Sequence, residues 1–235
     1  MKTIVANWKM QLTTTEAVTL ARQVCEMQAH GNVVLCPSFP ALSSVSAALR
    51  SSGVHLGAQD LFWEQKGAYT GEVSAPQLRE VGCTHVILGH SERRKHLGET
   101  DRMVNKKLIA GLSGKLIPIL CVGKAYRTQL PRALADLHLR HQEKMFIAYE
   151  PESAIGKKPE KLEAVLKAHK EIRALVTKCL PGLKTSQLHV LYGGGMEKKS
   201  ASLFLAQQEI DGLLVGGASL TMSAFRPILD AAYVS

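Results

Sequence analysis

An α/β protein closed into a (β/α)8 barrel, with eight parallel strands and an outer layer of helices, is what three features of the sequence predict. Short apolar, β-branched runs alternate with stretches of helical period, and they do so eight times over. The runs are continuously apolar, as strands buried on both faces of a parallel sheet are. No Pro-, Gly- or Ser-rich linker and no shift in composition interrupts the 235 residues, so 1–235 is expected to form a single domain. Eight units in this length suit a closed barrel, because a doubly wound sheet usually has fewer strands.

The elements follow in order. The first strand is predicted over 3–6, and the helix over 15–27 can be capped by Thr13, Thr14 or Thr15 with Glu16. Strands over 33–36, 55–58 and 86–89 are followed by helices over 41–49, 75–81 and 100–110. The fifth unit pairs a strand over 117–122 with a helix over 131–140. In the sixth, 146–149 leads to a helix over 159–178, for which Pro159-Glu160 makes a good first turn. Strands over 189–192 and 212–215, with helices over 198–208 and 223–232, complete the set.

Composition excludes several classes. At 46% hydrophobic and 21% charged, the chain can offset the entropy of ordering its backbone, so disorder is ruled out. The longest apolar stretches, such as 116–122, have strand length, far short of the roughly 20 residues that span a bilayer. A signal peptide is not expected, since Ile4-Val5-Ala6 is broken at once by Asn7 and Lys9; the cytoplasm is the expected compartment. Cys25, Cys36, Cys83, Cys121 and Cys179 are scattered and read as reduced structural thiols. His138 and His141 lie in a polar helical stretch and read as a solvated face, so neither metal nor cofactor is expected. The net charge of +9 is carried by short separate clusters, among them Arg93-Arg94-Lys95 and Lys106-Lys107. Aromatic residues are only 5% and are not interleaved with these clusters, which disfavours nucleic-acid binding. Attraction of a small anionic substrate is the better functional reading of the charge.

In such a barrel the chemistry sits on the loops after the C-terminal strand ends, with phosphate bound after strands seven and eight. There the unusual residues fall. Asn7-Trp8-Lys9 follows the first strand and Gly89-His90-Ser91-Glu92 the fourth; Glu150-Pro151, then Ala154-Ile155-Gly156, follow the sixth. Gly193-Gly194-Gly195 and Gly216-Gly217-Ala218-Ser219 follow the last two. The glycine clusters can bring backbone N–H groups close to an anion, and Ser219 can open a short helix whose positive end faces it. A nucleotide P-loop is excluded, because Gly123-Lys124 and Gly156-Lys157 lack the following Ser or Thr. Lys9 supplies a compact cation, Glu150 a carboxylate base and His90 a group able to polarise a carbonyl. Together with a phosphate grip, they suit proton abstraction beside a carbonyl in a small phosphate ester.

These residues carry a resemblance. Asn7-Trp8-Lys9, Gly57-Ala58-Gln59-Asp60, Gly67-Ala68-Tyr69-Thr70-Gly71-Glu72, Leu88-Gly89-His90-Ser91-Glu92-Arg93-Arg94, Cys121-Val122-Gly123, Ala148-Tyr149-Glu150-Pro151, Tyr192-Gly193-Gly194 and Val215-Gly216-Gly217-Ala218-Ser219-Leu220 stand in the order found in triosephosphate isomerases. Over nearly its whole length the chain resembles that family, itself the usual worked example of a carboxylate base beside a neutral histidine. The resemblance implies interconversion of dihydroxyacetone phosphate and D-glyceraldehyde 3-phosphate through an enediolate, in glycolysis and gluconeogenesis. It makes Glu150 the base that moves the proton between C1 and C2, His90, neutral at a helix N-terminus, the donor to the enediolate oxygens and Lys9 the stabilising cation. Asn7 would position Lys9 and line the substrate site, with Ser91 and Glu92 in support. Gly156, Gly195, Gly216 and Gly217 would offer N–H groups to the phosphate. A homodimer is implied as well, in which the loop over 64–73 enters the partner's pocket and brings Thr70 towards Asn7 of the partner subunit.

The chain also departs from the family pattern. Lys124 stands where the family has Glu after Cys-Val-Gly. The sixth loop reads Pro151-Glu152-Ser153-Ala154-Ile155-Gly156-Lys157-Lys158-Pro159, without the usual tryptophan, and Gly195 replaces a serine. The interval from 124 to 145 is short, so the fifth helix is expected to be truncated. These changes touch lid closure and are expected to weaken the closed state, with an exposed Glu152–Lys124 pair as a replacement contact. Two other readings compete. One is an isomerase of a four-carbon phosphorylated ketose on the same scaffold, and the other a basic binding protein with little catalysis.

Overall fold

A computed structural model describes residues 2–27, 32–140, 143–196 and 198–233. Eight strands close into a barrel in chain order: β1 (Thr3–Asn7), β2 (Asn32–Cys36), β3 (His55–Ala58), β4 (His85–Leu88), β5 (Ile117–Val122), β6 (Met145–Tyr149), β7 (Leu188–Tyr192) and β8 (Gly212–Val215). Every neighbouring pair is parallel, and β8 returns to β1 with Ala6 opposite Val215.

Strand alternation divides the core in two. Val5, Val34, Ile119, Cys121, Phe146 and Leu191 belong to a cluster made of strand residues alone, which fills the barrel. Their neighbours Ile4, Leu35, Leu120 and Ile147 point the other way and pack against the helices. Strands buried on both faces follow directly from this arrangement. Cys36, Cys83 and Cys121 are buried as small apolar residues, and burial pushes their thiols above the ordinary value.

The helices are α1 (Thr14–Glu26), α2 (Leu42–Ala48), α3 (Ala75–Glu80), α4 (Ser91–Leu97), α5 (Asp101–Ser113), α6 (Tyr126–Ala133), α7 (Leu162–Cys179), α8 (Lys198–Leu205) and α9 (Met222–Tyr233). Thr13 caps α1 in a reciprocal box with Glu16. Two predicted boundaries need correction. The fifth helix starts earlier and ends sooner than 131–140: α6 carries Pro131 inside it, and the left-handed Asp136 diverts the chain from helix. The sixth begins at Leu162, because Pro159 and Glu160 belong to the loop before it and Glu160 is tied to the barrel.

Helix α4 is absent from the elements read from periodicity, and only the resemblance, which puts His90 at a helix N-terminus, implies it. None of its residues is buried, so it has no apolar period to read. Polar contacts hold it. Arg94 donates to Gly89 O at 2.7 Å and to Asp101 at 2.6 Å, and Arg93 pairs with Asp60 at 2.8 Å and with Glu99 at 3.2 Å. Behind them Lys107 is buried between Asp60 (2.7 Å) and Glu99. Thus Lys107 and Arg93, counted in the sequence among the basic clusters that would attract an anionic substrate, are instead engaged by Asp60 and Glu99, although Glu99 Oε2 is left buried without a hydrogen-bond partner. His141 lies outside the described residues.

Candidate active site

The C-terminal ends of β1, β4, β6, β7 and β8 surround a cavity of about 430 Å3. Asn7, Lys9, His90, Glu150, Gly156, Gly195, Gly216 and Gly217 all line it. Eight residues predicted from five separate loops are therefore brought to one place. Thr70 is not among them: it lies on the exposed loop after β3, which is pinned at its base where Phe62 N donates to Val73 O at 2.8 Å.

Lys9 is held in a backbone conformation that side chains avoid, with φ of +52°. A left-handed residue other than glycine costs about 1–2 kcal/mol. Its N–H bonds Asn7 Oδ1 at 3.1 Å and its carbonyl accepts from Gln59 Nε2 at 2.8 Å, so the turn is fixed from both sides. Asn7 thus holds the Lys9 backbone in this turn. The Lys9 ammonium pairs with Glu92 Oε1 at 2.5 Å. Gln59, unassigned in the sequence reading, also donates to Cys36 O at 2.9 Å and ties the first two strand ends together.

His90 caps α4, and the Glu92 N–H points at its Nδ1 at 3.2 Å. That geometry puts the ring proton on Nε2, which lies 3.1 Å from Glu150 Oε1. The other Glu150 oxygen accepts from Ser91 N–H at 3.2 Å. Burial of the ring disfavours its charged form, but the Glu150 and Glu92 carboxylates outweigh this and raise its proton affinity. Burial likewise disfavours the Glu150 carboxylate, yet His90 and the Ser91 N–H hold it below the ordinary carboxylate value. Glu150 is thus held as a carboxylate against the His90 Nε2–H. The Ser91 hydroxyl is buried without a hydrogen-bond partner, so the support Ser91 gives comes through its backbone.

Close packing explains two glycines. A Cβ at Gly193 would stand 2.8 Å from Glu150 Cγ, so that glycine makes room for the Glu150 side chain. A Cβ at Gly195 would stand 1.6 Å from the Lys157 carbonyl oxygen. Gly195 N–H donates to Ala154 O at 2.7 Å. The sixth loop is therefore seated directly on Gly195. The bare backbone of Gly195 is what permits that seat. Because its N–H is engaged, Gly195 offers no free donor in this arrangement. Among the described residues, Gly156, Gly194, Gly216 and Gly217 donate their N–H groups to no backbone or side-chain acceptor, and all four line the cavity. Gly194 was missed, although it stands inside the quoted motif.

Two further contacts differ from expectation. Lys124 pairs with Glu160 at 3.2 Å, not with Glu152. Ser219 ends the short helix Gly217–Ser219, which Gly216 opens, and its buried hydroxyl turns back to Val215 O and Gly216 O at 3.2 and 2.7 Å.

A closed eightfold barrel with a cation, a capping histidine, a carboxylate and free glycine N–H groups around one mouth defines a class: a (β/α)8 enzyme built for proton transfer in a phosphate ester. Within that class the comparisons are specific. The sequence model of the family described as triosephosphate isomerase matches residues 2–232. The triosephosphate isomerase of Moorella thermoacetica is 41% identical over 245 aligned residues, covering 97% of each chain. That of Caldanaerobacter subterraneus subsp. tengcongensis is 40% identical, covering 97% of this chain and 98% of its own. The crystal structure of triosephosphate isomerase from Bartonella henselae superimposes with a TM-score of 0.86 at 28% identity, over 100% of this chain and 99% of that one. The chain belongs to the triosephosphate isomerase family, and it is an isomerase. Among the described residues, no helix is long and apolar enough to cross a membrane.

Proposed function

We propose that this enzyme interconverts dihydroxyacetone phosphate and D-glyceraldehyde 3-phosphate, with Glu150, His90 and Lys9 as its catalytic groups. One observation carries the assignment: Glu150, ionised and buried, rests against His90 Nε2 at 3.1 Å inside the cavity that Lys9 also lines. A substrate carbonyl oxygen takes the His90 Nε2–H in place of Glu150. The freed carboxylate then removes the proton from the adjacent carbon and returns it to the former carbonyl carbon, while the hydroxyl proton passes to the former carbonyl oxygen by way of His90 Nε2, which lies against both oxygens. Negative charge that develops on the two oxygens is met by the His90 N–H and the Lys9 ammonium, both fixed before substrate arrives. The N–H groups of Gly156, Gly194, Gly216 and Gly217 suit the phosphate; Gly195 joins them only where the Ala154 contact is released.

The relatives compared are three-carbon enzymes by name, so the four-carbon alternative is set aside. A homodimer working in the cytoplasm, with Thr70 completing the partner's site, fits the family and the exposed, base-pinned loop after β3. The test is a coupled assay on glyceraldehyde 3-phosphate for the native enzyme, Glu150→Asp and Lys9→Met. Shortening the carboxylate by one methylene should lower kcat by roughly 100-fold or more with the fold intact. Deleting the cation should collapse kcat/KM. Near-native turnover in Glu150→Asp would remove Glu150 as the base.

A further inference from the structure

Residue 160 sits at the end of the loop that covers the cavity, just before α7. Three strand-end loops meet on it. Its backbone N–H donates to the Tyr192 hydroxyl at 3.0 Å, and Tyr192 directly precedes the glycines of the seventh loop. Its carboxylate accepts from the Tyr149 hydroxyl at 3.2 Å, and Tyr149 directly precedes the base Glu150. The other carboxylate oxygen pairs with Lys124 of the fifth loop at 3.2 Å. Tyr149 and Tyr192 are buried, so their hydroxyls need partners, and a single residue serves both.

From this juxtaposition we infer that Glu160 is a positioning residue, a clamp that holds the covering loop in register with the base and with the glycine cradle. The inference rests on the reading of Glu150 as the base and of residues 151–160 as a lid. The other end of the lid is held by the Ala154–Gly195 bond, so the loop is pinned on both sides of Ile155 to Lys158, which line the cavity. Burial raises the Tyr149 hydroxyl above its ordinary value, with the Glu160 carboxylate adding to the effect, so this tyrosine remains a donor throughout the neutral range. Tyr149 donates its single proton only while Glu160 faces it. A lid that swings away breaks that bond, the Tyr192 bond and the Lys124 pair together. The clamp therefore closes as a unit.

An enediolate phosphate that escapes a closed site breaks its C–O bond to phosphate. The electron pair of the enediolate expels inorganic phosphate, and the remaining enol tautomerises to methylglyoxal. The fraction of turnovers lost this way reads the closed state, and a merely structural role for Glu160 would not move it. The experiment measures that fraction, KM and kcat for Glu160→Ala, Glu160→Gln, Tyr149→Phe and the double variant Glu160→Ala/Tyr149→Phe. Glu160→Ala should raise the methylglyoxal fraction about fivefold, the effect of one lost hydrogen bond on a closing equilibrium, and should raise KM more than it lowers kcat. Glu160→Gln keeps an acceptor for Tyr149 and should restore the fraction to within about twofold of native. Tyr149→Phe should match Glu160→Ala, and the double variant should add nothing further. A native fraction in Glu160→Ala, or fully additive effects, would overturn the clamp. If Glu160→Ala does not fold, Tyr149→Phe decides: a raised leak that Glu160→Gln does not increase upholds it, and a native leak overturns it. Near-native turnover in Glu150→Asp would instead remove the base assignment, so the two failures are distinguishable.

Discussion

Restoring a serine at position 195 should open the lid. A Cβ there would lie 1.6 Å from the Lys157 carbonyl oxygen and 2.8 Å from that of Ala154, where ordinary contact begins near 3.4 Å. The obstructing atoms are backbone, so no rotamer relieves the overlap, and the loop must move off by roughly 2 Å. The 2.7 Å bond from Gly195 N–H to Ala154 O is then lost. One such bond has a net worth of about 1 kcal/mol, which alone lowers the closed-to-open ratio about fivefold; steric displacement adds to this. The assay is the methylglyoxal fraction together with KM, measured for Gly195→Ala and Gly195→Ser. Alanine already carries the offending Cβ, so both variants should leak several-fold more than native and bind substrate more weakly. Replacing the whole segment 151–160 by a family-typical loop should remove the penalty, because the Lys157 carbonyl would no longer occupy that space. A native leak and KM in Gly195→Ala would show that the loop is not seated on this residue during turnover.

Three further outcomes are expected. Burial lowers His85 to about 3 and His169 to about 4 from an ordinary 6.5, so the unfolded chain binds more protons than the native one as pH falls from about 6.5 towards 4. Each then removes about 1.4 kcal/mol of stability per pH unit, while Asp60, raised by burial to about 6 from 3.8, offsets one of them below pH 6. Urea unfolding should therefore show stability falling below pH 6.5, and a flat profile from 6.5 to 4.5 would refute this. Lys107→Met leaves Asp60 and Glu99 buried without their main cation and should cost about 3–5 kcal/mol of unfolding free energy, a loss under about 1 kcal/mol being the contrary result. Replacing loop residues 66–70 by a short glycine-containing turn should give a monomer of low activity by light scattering and coupled assay. A fully active monomer would contradict the proposed role of Thr70.

Much of the site was legible because it is written in short contiguous motifs. Asn7 ends β1, and Lys9, His90 and Glu150 each stand one or two residues beyond a strand; parallel strands in a closed barrel bring such positions to one mouth whatever the details of packing. The alternation of strands and helices was legible for the same reason: strands buried on both faces and helices buried on one leave distinct apolar periods in the sequence. Helix α4 escaped because it buries nothing and is held by Arg93 and Arg94, whose partners lie in other elements.

The barrel and the chemical groups at its mouth were thus determined by sequence alone, through backbone periodicity and local order. Only the tertiary structure decided who pairs with whom. Glu160 rather than Glu152 meets Lys124, Lys107 lies inside a carboxylate network, Ser219 faces its own helix, and Gly195 is a seat for the lid. Each of these depends on atoms from segments far apart in the chain arriving within about 3 Å, the range over which hydrogen bonds and steric exclusion act. A helix that starts three residues later than its proline suggests turns a different carboxylate towards the barrel. Side-chain type does not encode that choice, because it is made by the loop geometry that the closed barrel imposes.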